Sequence, residues 1–111
     1  MKELIRKLVE AYGPSGSEER IRETIQAEIA ERVDDLRVDA LGNLIAVKRP
    51  PQSPAPGRRP PRVMLAAHMD EIGVMVTHID DKGFCRFTSI GGLNPITLDG
   101  NRVVFASVVF G

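Results

Sequence analysis

Both histidines of the chain stand two residues before an aspartate, in His68-Met69-Asp70 and His78-Ile79-Asp80. Imidazole is a common ligand for zinc-like ions through one ring nitrogen. The other nitrogen then needs an acceptor, and a nearby carboxylate fixes the tautomer and the orientation of the ring. The shared spacing does not separate the two pairs, so their surroundings must. His68 follows the apolar run Arg62-Val63-Met64-Leu65-Ala66-Ala67, which reads as a strand buried on both faces inside an α/β layer. In open α/β sheets, ligands gather beyond the carboxyl ends of strands. His68 is therefore the candidate metal ligand, and Asp70 the candidate partner that orients it. The plain alternative for His68 is a hydrogen-bonded core histidine. His78 runs straight into a surface turn, which Asp80 is expected to begin.

Two other reactive side chains lie nearby. Glu71 could serve as an acid, a base or a further ligand, but neighbours on an extended chain point to opposite faces, so Asp70 and Glu71 are not expected to share a site. Cys85 is the single cysteine and has no histidine partner in its local sequence. It reads as a small buried hydrophobe. Gly91-Gly92 has neither the spacing nor the following helix of a phosphate loop. A catalytic zinc site takes about three protein ligands, and these residues visibly supply one.

The elements that must position them follow from periodicity. Leu4, Ile5, Leu8 and Val9 lie at helical spacing, predicting a helix over 2–12 that Gly13-Pro14 ends. Ser15 stands three residues before Glu18, the spacing of a capping box. A second helix is expected from about Gly16 to Arg32, with Ile21, Ile25 and Ile29 as a stripe to be buried in a core. Two short strands, around Val33–Val38 and Leu44–Val47, should join near Gly42-Asn43. Residues 50–61 hold most of the prolines and are expected to form an exposed, partly disordered loop. Ile72–Ile79 and Phe84–Ile90 read as strands around an Asp80-Asp81-Lys82-Gly83 turn. Gly91-Gly92 ends the second of them, Asn94-Pro95 marks a further turn, and Arg102–Phe110 is strand-like. The chain is apolar to its last residue. It is expected to be cut short within a strand, the alternative being a terminal strand docked in a sheet.

Helices in the first third and strands in the last imply an α/β segment followed by a mostly β unit, with a boundary near Asp70–Gly73. The 111 residues carry 15 basic and 15 acidic side chains, which excludes the basic footprint of a nucleic-acid binder. Arg58, Arg59 and Arg62 lie among prolines and read as a solvated loop. No apolar run reaches the roughly 20 residues of a membrane-spanning helix, and the first residues alternate charge with apolar side chains, unlike a signal peptide. A lone cysteine gives no internal disulfide. A cytoplasmic location is the resulting expectation.

Several ordered segments carry a resemblance. They are Ala11-Tyr12-Gly13-Pro14-Ser15-Gly16 with Glu18-Glu19, Asp39 with Leu41-Gly42-Asn43-Leu44-Ile45-Ala46, Arg62–Gly73, Asp80-Asp81-Lys82-Gly83-Phe84 and Ile90-Gly91-Gly92. Together they resemble the dinuclear-metal aminopeptidases, which include glutamyl aminopeptidases and tetrahedral, twelve-subunit aminopeptidases, some bearing the older label cellulase M or endoglucanase. The resemblance covers nearly the whole chain. It implies an aminopeptidase that removes amino-terminal residues from peptides with two divalent metal ions, zinc or cobalt. His68 would ligate one ion, and Asp70 would orient His68. The family's general base is a glutamate further along a longer chain, so Glu71 does not take that role. Residues 1–71 would be the amino-terminal segment of the catalytic α/β domain. Residues 72–111 would start an inserted β domain used for subunit contacts in a homo-oligomer. The proline-rich stretch 50–61 departs from the family's short turn. The chain is thus expected to be an amino-terminal fragment, inactive alone. Two other classes stay in view: a non-catalytic oligomerisation module, and a glycoside hydrolase, which would need a carboxylate pair flanking a sugar bond.

Overall fold

The computed structural model describes residues 1–51 and 61–106. The chain forms two compact units, Met1–Glu71 and Ile72–Gly111.

In the first unit, α1 (Lys2–Glu10) and α2 (Glu19–Ile29) arise where 3.6-residue periodicity was read, and Ala30–Arg32 continues α2 as a tighter 3-10 turn. Lys7 of α1 pairs with Glu28 of α2. The capping box does not form. Glu18 Oε1 accepts from the Gly16 amide at 2.7 Å, no side chain caps α2, and the Ser15 hydroxyl is used elsewhere. Gly16 takes φ +90, a left-handed conformation suited to glycine, and this turns the chain ahead of the helix.

The isoleucine stripe is only partly covered. Ile21 is 5% exposed and is the one buried hydrophobic side chain among the described residues. Ile25 and Ile29 are half-buried. Ile21 is buried because it packs onto Gly13, where a Cβ would lie 2.3 Å from its Cγ2. On α1, Leu8 is half-buried while Leu4, Ile5 and Val9 are exposed. Burial of the full stripes in a core, expected from the sequence, is therefore not what the chain achieves.

β1 (Asp35–Val38) and β2 (Leu44–Val47) pair antiparallel, from Asp35 opposite Val47 to Val38 opposite Leu44. Asp39 organises their turn. Its Oδ1 accepts from the amides of Leu41 (3.0 Å) and Asn43 (2.9 Å), and its Oδ2 accepts from Asn43 Nδ2 (2.9 Å). Arg22 of α2 donates to the Gly42 carbonyl at 3.2 Å, tying helix to hairpin.

The run Arg62–Ala67 corrects the sequence reading. It belongs to no strand, and Val63, Met64 and Leu65 are 84%, 88% and 93% exposed. A strand needs neighbours for its amides and carbonyls, and none of the described residues pairs with this run.

In the second unit, β3 (Gly73–Ile79) and β4 (Cys85–Ile90) form an antiparallel hairpin with an irregularity between Val76 and His78. Asp80 begins the turn: its Oδ1 accepts from the amides of Lys82 and Phe84, both at 2.9 Å, and Gly83 takes φ +86. Cys85 is exposed, not buried as the sequence reading had it, because a two-stranded sheet leaves its faces open unless another layer covers them. Asn94 leads into a 3-10 turn at Pro95–Thr97. Residues 102–106 form no strand, and the rest of the expected Arg102–Phe110 strand lies outside the described residues. So does most of the proline-rich stretch expected at 50–61.

Candidate functional site

The segment His68–Glu71 is held against the loop between α1 and α2. The Glu71 amide donates to the Gly13 carbonyl at 2.9 Å, and Glu71 Oε1 accepts from the Gly13 amide at 3.1 Å. Pro14 and Glu71 form a parallel bridge. Gly13 is buried against Ile21, so the clamp rests on the best-packed point of the unit.

Beside this clamp, Ser15 Oγ donates to Asp70 Oδ2 at 2.5 Å. Asp70 Oδ1 lies 3.2 Å from His68 Nδ1, and the Asp70 carbonyl lies 3.1 Å from the same nitrogen. Both neighbours of Nδ1 are acceptors, so the neutral ring carries its proton there and keeps a free lone pair on Nε2. The His68 side chain is 86% exposed, so the ring is not packed in a core. Ser15's hydrogen bond is the main influence holding the Asp70 carboxyl below the usual carboxylate range. Partial desolvation opposes it, and His68 adds to it.

His68 and Asp70 line a hollow of about 380 Å³. Ile25, Ile29, Leu41, Leu44 and Met69 supply its apolar lining, and Glu18, Asn43, His68 and Asp70 its polar groups. The second His-Asp pair is built differently. His78 is exposed on β3 opposite Arg86, and the Asp80 carboxylate is spent on its turn. Glu71 turns to Gly13, while Asp70 turns to Ser15 and His68. Reading the sequence missed Ser15 at the site. Its signal was present, a hydroxyl between Pro14 and Gly16, but the capping-box spacing drew it to Glu18.

The donor chemistry fits one ligand position, since an imidazole with its Nδ1 proton engaged presents Nε2 to an ion. One imidazole does not make a catalytic centre. Among the described residues, no three His, Cys, Asp or Glu side chains gather at one point.

Comparison with known proteins places the chain among aminopeptidases. The chain is 51% identical over its 111 residues to a protein of Acetivibrio thermocellus, covering 100% of this chain and 31% of that one. It is 39% identical over 104 residues to the lysyl aminopeptidase of Pyrococcus furiosus, covering 93% of this chain and 28% of the relative. Its fold matches the crystal structure of a TET aminopeptidase from a marine-sediment Thaumarchaeota archaeon, with a TM-score of 0.70 and 32% identity over 82% of this chain and 24% of that one. Residues 42–108 match the model of the M42 glutamyl aminopeptidases. The chain belongs to the M42 glutamyl aminopeptidase family. Members of this family are aminopeptidases, hydrolytic enzymes of a metallopeptidase class that points to divalent metal ions. The fold class expected from the sequence holds: two helices with antiparallel strands, matching the amino-terminal α/β part of such enzymes. The chain spans less than a third of the length of each of these relatives. Among the described residues, no helix is long and apolar enough to cross a membrane.

Proposed function

We propose that this chain is the amino-terminal part of a metal-dependent aminopeptidase that removes amino-terminal residues from peptides, and that His68 ligates one of two divalent ions, zinc or cobalt. The observation that carries the reading is an exposed imidazole at the edge of a hollow, with Nδ1 facing Asp70 and Nε2 without a hydrogen-bond partner among the described residues, in a chain of this family. The chemistry such ions supply is activation of water and polarisation of the scissile carbonyl. Asp70 keeps the ring proton on Nδ1 and holds the ring in place. Further donors come from other parts of a longer protein. Residues 1–71 belong to its catalytic α/β domain, and 72–111 start an inserted β domain that makes subunit contacts. The likeness to a TET aminopeptidase supports a homo-oligomer, of twelve subunits by the family resemblance. The single cysteine and the charged amino-terminal residues favour the cytoplasm.

The test uses the longer protein that carries this chain. His68→Ala should lower its bound zinc or cobalt and abolish release of nitroaniline from aminoacyl-nitroanilides, as a chelator should for the parent. Full metal content and turnover in His68→Ala would overturn the assignment. The 111-residue chain alone is expected to be inactive.

A second reading, a non-catalytic assembly module, rests on the exposed apolar residues Val63, Met64 and Leu65. A longer protein that assembles through this chain but hydrolyses no peptide would favour it. Glycoside hydrolysis has no comparable support. At the hollow, Asp70 is engaged by Ser15 and His68, and Glu18 by the Gly16 amide, which leaves no free carboxylate pair among the described residues there for a sugar.

A further inference from the structure

The geometry points to Ser15 as a positioning residue for His68, acting through Asp70: a hydroxyl–carboxylate–imidazole chain in which Ser15 fixes which Asp70 oxygen faces the ring. The inference rests on the reading of His68 as a ligand and extends it to a residue 55 positions earlier in the sequence.

A carboxylate has two equivalent oxygens on a terminal torsion that is broad and nearly two-fold. Left alone, Asp70 would present either oxygen to His68 and rotate between them. Ser15 removes the equivalence by donating to Oδ2, which leaves Oδ1 at 3.2 Å from Nδ1. A carboxylate held in this way is a better-placed acceptor for the Nδ1 proton, and a charge-assisted hydrogen bond is the stronger kind. The result is a ring biased to the Nδ1–H tautomer, with Nε2 ready to donate its lone pair to a cation.

The position of Ser15 is itself built. Pro14 before it fixes its own φ, and Gly16 after it takes φ +90. The Ser17 amide closes the turn onto the Pro14 carbonyl at 2.8 Å. The paired Gly13–Glu71 bonds then hold this turn against the residue that follows Asp70. The hydroxyl is delivered by a loop anchored on both sides, so its bond to Asp70 does not depend on a long, mobile side chain. The Asp70 carbonyl, 3.1 Å from Nδ1, is the competing explanation for the tautomer, because it would hold the proton without any help from Ser15.

The experiment is ¹⁵N NMR of the His68 ring in the metal-free 111-residue chain, at a pH where the ring is neutral. In the parent, Nε2 should resonate as an unprotonated nitrogen and Nδ1 as a protonated one. In Ser15→Ala the two shifts should converge toward a mixture of tautomers, and Ser15→Thr, which keeps a hydroxyl, should restore the parent pattern. The backbone amides of Gly13 and Glu71 report whether the loop stays clamped. If Ser15→Ala loosens it, Ser15→Cys decides, because a thiol of similar size is a weaker donor and should move the shifts part of the way. Parent-like tautomer shifts in both the Ala and the Cys variants would overturn the inference and assign the tautomer to the Asp70 carbonyl. That failure is distinct from failure of the peptidase reading, which is decided by metal content and turnover in His68→Ala of the longer protein.

Discussion

Ser15 and Asp70 meet through a 2.5 Å hydrogen bond across 55 residues of sequence, and this bond sets the loop between two helices beside the candidate ligand His68. It rests on a short-range packing contact one step away, Gly13 against Ile21.

That contact makes Gly13 a sharp test of the site's foundation. A Cβ at Gly13 would sit 2.3 Å from Ile21 Cγ2 and 2.9 Å from Ile21 Cβ, distances that force the helix and the loop apart. Gly13→Ala should therefore destabilise the first unit by about 1–3 kcal/mol, the usual cost of overpacking. Urea unfolding followed by circular dichroism reads the cost. The amide of Glu71, which donates to Gly13, should exchange faster with solvent. Unchanged stability and exchange would mean that the packing around Ile21 yields freely.

Acid should open the β1–β2 turn in a defined pH window. Asp39 accepts from the Asn43 side chain and from the amides of Asn43 and Leu41, and these bonds lower its pKa below the ordinary 3.8, against the opposing effect of desolvation. A carboxyl with a depressed folded pKa stabilises the fold fully above the unfolded value. The contribution is lost as pH falls through the folded one. The amide resonances of Leu41 and Asn43 should hold steady down to about pH 4, then move together below it. Asp39→Ala should show the opened turn already at neutral pH. A turn that stays closed in Asp39→Ala would refute the role given to this carboxylate.

At Gly83 in the β3–β4 turn, backbone conformation rather than space for a side chain should set the cost of substitution. A Cβ at Gly83 or at Gly92 would meet nothing within 4 Å, but Gly83 takes φ +86, whereas Gly92 is outside the left-handed region. Gly83→Ala should thus cost about 1–2 kcal/mol, the price of a left-handed L-residue. Gly92→Ala should be neutral or stabilising by about 0.4–1 kcal/mol, through the unfolded chain. Cross-strand nuclear Overhauser effects, such as that between Val74 and Ser89, report the hairpin population. Equal effects at the two glycines would count against the turn geometry.

What the sequence made legible was local. Helices at Lys2–Glu10 and Glu19–Ile29 follow from side-chain periodicity, and the hairpins turn at Gly42 and Gly83 as the glycine placement required. His68 and Asp70 could be paired because they lie two residues apart. Ser15 could not be added to them, since nothing local to residues 13–18 encodes a partner at residue 70, and a helix cap offered the hydroxyl a nearer use. The burial of Arg62–Ala67 and Cys85 was misread for another reason. An apolar run or a thiol signals a preference for burial, while burial itself depends on which elements arrive to cover it.

The exposed run at Val63–Leu65 leads to the remaining prediction. Leu65 is 93% exposed and Leu41 is 89% exposed, yet their backbones differ. The Leu41 amide already donates to Asp39 within a closed turn. Leu65 lies in a segment without a strand partner among the described residues. Apolar side chains on an unpaired backbone recruit further strands, and a lysine there blocks the addition. The 111-residue chain should therefore self-associate as its concentration rises, seen by sedimentation velocity. Leu65→Lys should suppress that association, and Leu41→Lys should leave most of it in place. Equal suppression by both variants would show that exposed hydrocarbon in general drives the association, and that the open backbone at 63–65 has no special part in it.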